Sequence, residues 1–463
     1  MVVGELTQET ELLIIGGGPG GYHAAFRAAE HGMQVTLVEA GPKLGGVCLN
    51  RGCIPAKTYM HMAETLHLAE SAKAMGIDFG KPKINIDAMR SWKEQVVDKL
   101  AGGLDMLCKK NKVEKIHGSA RFDDTRNVSV AGESNTRIKF GKCIIATGSK
   151  SIELKNLQPD SPRILTSRTA LDLADMPKSL LVLGGGYIGL ELGQVYASLG
   201  SKVTVVEMLP NILAGADADL ARPLIKRLKE QFEAICLETK VVGMKEVKKG
   251  IDVSFEGKNP PADTIFEKVL MAVGRRPNTD GLGVEQAGVK VDERGFIDVD
   301  ENFKTSTNRI FAIGDVIGGP MLAHKAIHEG IVVADQIAGK DETFDPRAIP
   351  AVVYTDPEMA WAGITEEEAK VQGKNIVVKK TPWSASGRAV AIGRTDGLTK
   401  IIFDKETQQV LGVGITGPHA GEMISEGALA VEMGAVAYDI HKTVHPHPTL
   451  SETVFETAGL MAH

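Results

Sequence analysis

Five residues recur along this chain at one constant spacing. Gly16, Gly18, Gly21, Gly32 and Glu39 are repeated 168 positions later as Gly184, Gly186, Gly189, Gly200 and Glu207. Each set has the same surroundings: a continuous apolar run (12–15, 180–183), the Gly-x-Gly-x-x-Gly pattern, a helical stretch, then a second strand ending in glutamate. Such an apolar run reads as a strand of a parallel sheet covered on both faces. The first glycine allows the tight turn, the second lets backbone approach a pyrophosphate, and the third lets helix pack on strand. Unpaired amides and the dipole at the helix N-terminus favour the negative phosphates. Glu39 and Glu207 then stand where a carboxylate can accept a ribose diol. A ligand-free glycine turn is the alternative for one such pattern. Two complete patterns imply two dinucleotides, most simply a flavin and a nicotinamide, between which hydride transfer is a two-electron step.

Directly after the first unit comes Gly45-Gly46-Val47-Cys48-Leu49-Asn50-Arg51-Gly52-Cys53-Ile54-Pro55-Ala56-Lys57. On an ideal helix, residues i and i+5 have Cα atoms roughly 8.6 Å apart, whereas a disulfide needs about 4.4–6.8 Å. A bond between Cys48 and Cys53 therefore requires the backbone to leave helical shape, and Gly52 eases that bend. Two free cysteines beside a turn are the alternative. Cys108, Cys143 and Cys236 are scattered, as in a reduced, cytoplasmic protein, where a working disulfide is more common than a structural one. Residues 1–11 lack the basic and apolar regions of a signal peptide. No apolar run approaches a membrane span, and a net charge of −6 gives no basic field for nucleic acid. No set of metal-ligand spacing stands out.

The pattern predicts helices over 22–31, 56–74, 92–111 and 321–337, and strands over 34–38, 142–148 (ending in a turn) and 309–315 (ending in an acid). The strand-and-turn 142–148 is echoed at 269–274, and a linker is expected at 158–162. Asp315 follows a buried strand; an N-cap or turn role is its structural alternative. After 341–350 the pattern changes to short alternating runs (400–403, 410–415), which predict an antiparallel sheet with helices at 422–433 and after Pro448. Near the end, Thr449 and Glu452 form a Thr-x-x-Glu capping box. Glu452 is also placed to orient His447, as a carboxylate orients the imidazole of a general base.

With both glycine patterns, the Cys-x-x-x-x-Cys stretch and the His445-Pro446-His447-Pro448-Thr449 ending, the chain resembles the pyridine nucleotide–disulfide oxidoreductases. The resemblance implies an α/β protein with two Rossmann-like dinucleotide-binding domains and a C-terminal α+β dimerisation domain. Its expected limits are 1–157 for FAD, 158–276 for NAD, 277–345 for a central domain completing the FAD fold, and 346–463 for the interface. It implies FAD contacts at Gly16, Gly18, Gly21, Glu39, Lys57, Ala120, Asp315, Met321, Leu322, Ala323 and His324. For NAD it implies Gly184, Gly186, Gly189, Glu191, Glu207, Val241 and Gly274. By the same resemblance Cys48 and Cys53 form the redox disulfide, with Cys48 meeting the substrate and Cys53 the flavin. Lys57 pairs with Glu191, and His447 with Glu452 does acid–base work, His445 standing beside them. The implied activity is oxidation of dihydrolipoyl groups carried by other proteins, those of 2-oxoacid dehydrogenase or glycine cleavage complexes, with NAD⁺ as acceptor and a homodimer as the working form. Arg51 and Ala56 depart from the family pattern. Arg51 could shift a thiolate or meet an acidic partner.

Overall fold

The computed structural model describes residues 7–132 and 135–462; the remaining residues within the expected domain limits, and most of the 1–11 stretch, lie outside them. The chain divides into two compact units, Met1–Thr58 with Asn85–Ile152 and Gly274–Asp345, and Tyr59–Ile84 with Glu153–Val273 and Pro346–His463.

In the first unit a seven-stranded sheet runs Glu114–His117, Val35–Glu39, Thr7–Ile15, Thr136–Ile145, Asn127–Ala131, Ser119–Phe122, with Ile310–Ala312 branching off Thr136–Ile145. Leu12–Ile15 lie between Val35–Val38 and Lys142–Ile145, all parallel. Those inner strands are mostly apolar because both faces are covered, and their side chains fill two cores on opposite faces. On its edge away from Thr7–Ile15, Thr136–Ile145 serves two partners: its first half pairs antiparallel with Asn127–Val130, its last residues parallel with Ile310–Ala312. Ser149–Ser151 and Arg275–Pro277, the strands flanking the 153–273 stretch, form a separate antiparallel ribbon.

The second unit holds a five-stranded parallel sheet in the order Ala234–Cys236, Lys202–Val206, Ser179–Leu183, Lys268–Met271, Ile164–Thr166. It also holds an antiparallel sheet in the order Ala351–Val353, Met359–Gly363, Val410–Thr416, Leu398–Asp404, Ile376–Pro382, on which helices Ala420–Glu432 and Glu452–Ala462 pack. Buried Lys400 gathers Asp217, Asp219 and Glu366, its Nζ 2.6 Å from Asp217 and 3.0 Å from Asp219. These carboxylates are close enough to share a cation, and the ammonium is one.

Element ends differ from the sequence expectation for local reasons. The first helix starts at Pro19, whose fixed φ suits the first helical position. Ile86–Lys110 starts six residues before Trp92 because Asn85 caps the amide of Ala88 at 3.0 Å. The helix expected from Ala56 begins at Cys53 and ends at Ser71, a 3₁₀ turn completing it to Met75. Strand Ile310–Ala312 is shorter than expected, since the chain enters the 3₁₀ turn Gly314–Ile317. Helix Ala323–Ile337 starts two residues after Met321.

One buried acid gives a stability prediction. Asp356 lies 2.6 Å from Arg394, 3.5 Å from His67 and 3.7 Å from Arg227. Burial opposes its charge, but these partners overcome it and hold the carboxyl down to about 2. Being depressed on folding, it contributes stability that is complete above the unfolded value near 4 and vanishes as pH falls through about 2. The contribution is about 2 kcal/mol. Asp356→Asn is expected to lower Tm at neutral pH, the gap to the parent protein closing between about pH 4 and pH 2. Thermal scans across that window check it; an unchanged gap contradicts it.

Candidate redox and dinucleotide sites

The two glycine units fold alike down to single hydrogen bonds. Gly16 and Gly184 take φ of +107° and +103°, and a Cβ on either would lie 2.3 or 2.4 Å from the carbonyl of Ala146 or Ala272, so only glycine fits. Gly16 N donates to Val38 O and Gly184 N to Val206 O, at 2.8 and 2.9 Å. Gly17 O accepts Gly45 N at 2.7 Å, and Gly185 O accepts Leu213 N at 2.9 Å. Gly18 and Gly186 are the N-caps of helices Pro19–Glu30 and Tyr187–Ser198, and neither helix has a side-chain cap. A Cβ on Gly18 would find its nearest atom at 3.9 Å, and one on Gly186 nothing within 4 Å. Two uncapped helix N-termini thus face open space, a fit for a pyrophosphate.

The acidic ends are locked. Glu39 accepts the amides of Gly17 and Gly41 at 2.7 and 2.6 Å, and Glu207 those of Gly185 and Leu209 at 2.7 and 2.8 Å. Each carboxylate retains lone pairs for a ribose diol. Val241, in strand Thr239–Val247, lies two residues beyond the amide of Thr239 that bonds Glu207 O. Ala120 is in edge strand Ser119–Phe122, opposite Val130. Gly274 opens the return segment at φ +112°.

Helix Gly46–Arg51 ends at Gly52 with φ −148° and ψ −109°, and helix Cys53–Ser71 begins at once. A Cβ on Gly52 would lie 2.9 Å from Val47 O. The break brings the two thiols together. They are present as thiols rather than as a disulfide, and Cys48 is hydrogen-bonded to Cys53. That bond, then burial, then the charge of Cys53, push the Cys48 thiol far up; Lys57 pulls it down and Asp315 adds to the rise. One thiol of the pair thus ionises at the other's expense. Burial first, then the charge of Cys48, raise the Tyr22 phenol. Arg51 occupies the last turn of its short helix, where a cation is favoured. Ala56 is buried.

Asp315 is not an N-cap; Ile313 is. Its carboxylate accepts the hydroxyl of Ser149, and Arg275 grips Ser149 through Oγ at 2.7 Å and carbonyl at 2.8 Å. Gly314 N donates to buried Glu329, itself paired with Lys325 at 2.5 Å. Ser149, Arg275, Lys325 and Glu329 were not singled out from sequence, although Gly148-Ser149 and Gly274-Arg275 both follow the echoed strand-and-turn. Leu322 caps helix Ala323–Ile337; Met321, Ala323 and His324 are half-buried beside it.

In the second unit Glu191 is buried and accepts Tyr354 N at 3.0 Å. His447 Nδ1 lies 2.9 Å from Glu452 Oε1, while Thr449 N donates to Glu452 Oε2 at 2.8 Å. The capping and orienting roles of Glu452 therefore coexist on its two oxygens. The Thr449 amide first, then His447, hold its carboxyl below the usual range. The His447 imidazole is 80% exposed. His445 is tied to Glu426 at 2.7 Å.

This geometry has close relatives. Residues 10–330 match the family described as pyridine nucleotide-disulphide oxidoreductase, and residues 349–458 its dimerisation domain. The chain is 47% identical to dihydrolipoyl dehydrogenase of Vibrio cholerae over 96% of this chain and 94% of that one. It is 48% identical to dihydrolipoyl dehydrogenase of Thermus scotoductus, covering 97% and 96%. Among solved structures it is similar to LpdA of Mycobacterium tuberculosis (TM-score 0.90, 27% identity, 97% and 99% covered). It is also similar to the HOCl-induced flavoprotein disulfide reductase RclA of Escherichia coli (0.87, 29%, 97% and 99%). No helix among the described residues is long and apolar enough to cross a membrane. The chain belongs to the pyridine nucleotide–disulphide oxidoreductase family.

Proposed function

We propose that the protein is a dihydrolipoyl dehydrogenase, oxidising protein-bound dihydrolipoyl groups and reducing NAD⁺. One observation carries the reading: two thiols five positions apart touch across a helix break, with Lys57 as a stabilising cation. Such a pair can cycle between dithiol and disulfide by exchange with a substrate dithiol. Membership in the family implies FAD and NAD(P); the two open glycine cradles fit them. FAD is assigned to Gly16, Gly18, Gly21, Glu39, Lys57, Ala120, Asp315 and 321–324. NAD is assigned to Gly184, Gly186, Gly189, Glu191, Glu207, Val241 and Gly274. When bound, these groups supply the two-electron path from the dithiol to the nicotinamide.

The chain's own residues do the thiol chemistry. His447, held by Glu452 through Nδ1, presents Nε2 as the base for a dihydrolipoyl S–H. The substrate thiolate attacks Cys48 Sγ of the oxidised pair, the Cys48–Cys53 bond breaks, and Cys53 leaves as thiolate beside Lys57. The second substrate thiolate then attacks the substrate sulfur of the mixed disulfide. Lipoyl disulfide departs and Cys48 is released with a proton. The four-domain division, the Lys57–Glu191 pairing, the cytoplasmic setting and lipoyl-bearing partners of 2-oxoacid dehydrogenase or glycine cleavage complexes belong to the same proposal. The test is NADH formation by FAD-loaded protein from dihydrolipoamide and NAD⁺, against glutathione with NADP⁺. Turnover with dihydrolipoamide is expected; preference for the glutathione couple overturns the reading.

Glu207 sets the expected nicotinamide. Two like charges about 4 Å apart near a surface repel by about 4 kcal/mol at an effective dielectric of 20. Glu207 cannot swing aside without releasing two amides. NADP⁺ is expected to be used at least about 100-fold less efficiently than NAD⁺. Equal kcat/KM values contradict that role.

A further inference from the structure

The His447–Glu452 pair stands on a buried chain of hydroxyls. Trp383, Thr399 and Thr453 have no exposed surface, yet each polar group has a partner. Trp383 Nε1 donates to Thr399 Oγ1 at 2.9 Å. Thr399 Oγ1 lies 2.7 Å from Thr453 Oγ1, and Thr453 Oγ1 donates to the carbonyl of Leu450 at 2.7 Å.

The supply of protons fixes the direction of the middle bond. An indole N–H only donates and a carbonyl only accepts, while a hydroxyl has one proton. Thr453 gives its proton to Leu450, so Thr399 must give its own to Thr453, and the acceptor lone pair of Thr399 is left for Trp383. The chain runs one way, from indole to carbonyl, each bond polarising the next.

Its last two members, Leu450 and Thr453, flank Glu452 in the functional turn. Leu450 lies three residues after His447, and Thr453 immediately follows Glu452. The Thr457 hydroxyl also bonds Thr453 O at 2.6 Å, fastening the same first turn of helix Glu452–Ala462. An imidazole that is 80% exposed has little packing to hold it, so its aim depends on where Glu452 is fixed.

We propose that Thr453, supported by Thr399 and Trp383, is a positioning residue for the acid–base pair, setting Glu452 and through it His447. This rests on the reading of His447 as the base, and the experiment keeps the two apart. Thr453→Val keeps the shape and removes the hydroxyl; Thr453→Ser keeps the hydroxyl. Thr399→Val cuts the chain one step back, on the sheet. Each FAD-loaded variant, with His447→Gln as reference, is assayed for dihydrolipoamide-dependent NAD⁺ reduction and for NADH-driven ferricyanide reduction. The second reaction takes electrons from the flavin without a thiol proton.

Thr453→Val and Thr399→Val are expected to lose roughly ten-fold in the first reaction, the factor one net hydrogen bond corresponds to, and nothing in the second. Thr453→Ser restores turnover, and the pH profile of Thr453→Val departs from the parent in the limb that His447→Gln also alters. Full activity of both valine variants overturns the inference. So does equal loss in both reactions, or failure of serine to rescue. Should Thr453→Val not fold, Thr399→Val is judged by the same outcomes. A fully active His447→Gln instead overturns the role of the base, and the positioning role falls with it.

Discussion

Cys53→Ser is expected to bind FAD and lose dihydrolipoamide-dependent NAD⁺ reduction by roughly three orders of magnitude or more, because a serine at one end of the pair leaves no disulfide to exchange. The substitution removes one sulfur from a pair whose helix break lies in the backbone at Gly52, where a Cβ would come within 2.9 Å of Val47 O. Flavin content and Tm are therefore expected to stay near those of the parent. The same variant carries a second readout. Cys48 is pushed up first by its hydrogen bond to Cys53 and, after burial, by the charge of Cys53. With that charge gone, Lys57 acts on Cys48 alone, and alkylation of Cys48 is expected to set in at lower pH than in the reduced parent. Substantial retained turnover, or alkylation moving to higher pH, contradicts the coupled-thiol reading.

Mixing two inactive variants should restore activity. His447→Gln lacks the base, Cys53→Ser lacks the disulfide, and residues 349–458 form the family's dimerisation domain. If each site joins the disulfide of one subunit to the histidine of the other, a mixed dimer contains one doubly damaged site and one intact site. Random reassortment of equal amounts makes about half of the dimers mixed, so about a quarter of the parent activity should return. Each parent variant alone is expected to stay below about a hundredth. The high exposure of the His447 ring in the single chain accords with a histidine that serves a neighbour. Co-expression with two tags and an NADH assay decide it, the purified mixed dimers being expected to show about half of the parent activity. No recovery in confirmed mixed dimers places His447 in its own subunit's site or outside the reaction.

Sequence periodicity was sufficient for both parallel-sheet units because their determinants are local. A glycine at positive φ, an apolar run buried on both faces and an acid at a strand end all leave marks within 25 residues. Cys48 and Cys53 were legible for the same reason, since closing such a spacing requires the backbone to leave helical shape and Gly52 eases that bend. The partners of Asp315 were not. Ser149 lies 166 positions from it, and neither Ser149 nor Arg275 has any local pattern that separates it from a turn residue. Glu452 could be read two ways because Thr-x-x-Glu describes only one of its oxygens; the other is assigned by three-dimensional placement. Thr399 and Thr453, 54 positions apart, are ordinary β- and helix-borne threonines until the fold joins them.

The order of strands in the first sheet has a consequence for synthesis of the chain. The last residues of Thr136–Ile145 are paired with Ile310–Ala312, which leaves the ribosome some 165 residues later. At bacterial elongation rates that delay is about ten to thirty seconds. Throughout it, the apolar end of that strand, Cys143–Ile145, waits with an open edge, able to template pairing with another nascent chain. Residues 153–273, which include all five strands of the parallel sheet in the second unit, are complete before the sheet of the first unit can close. A product truncated near the end of that interval would therefore contain a finished parallel sheet and an unfinished, sticky one, and crowded expression would select against it by aggregation rather than by loss of catalysis.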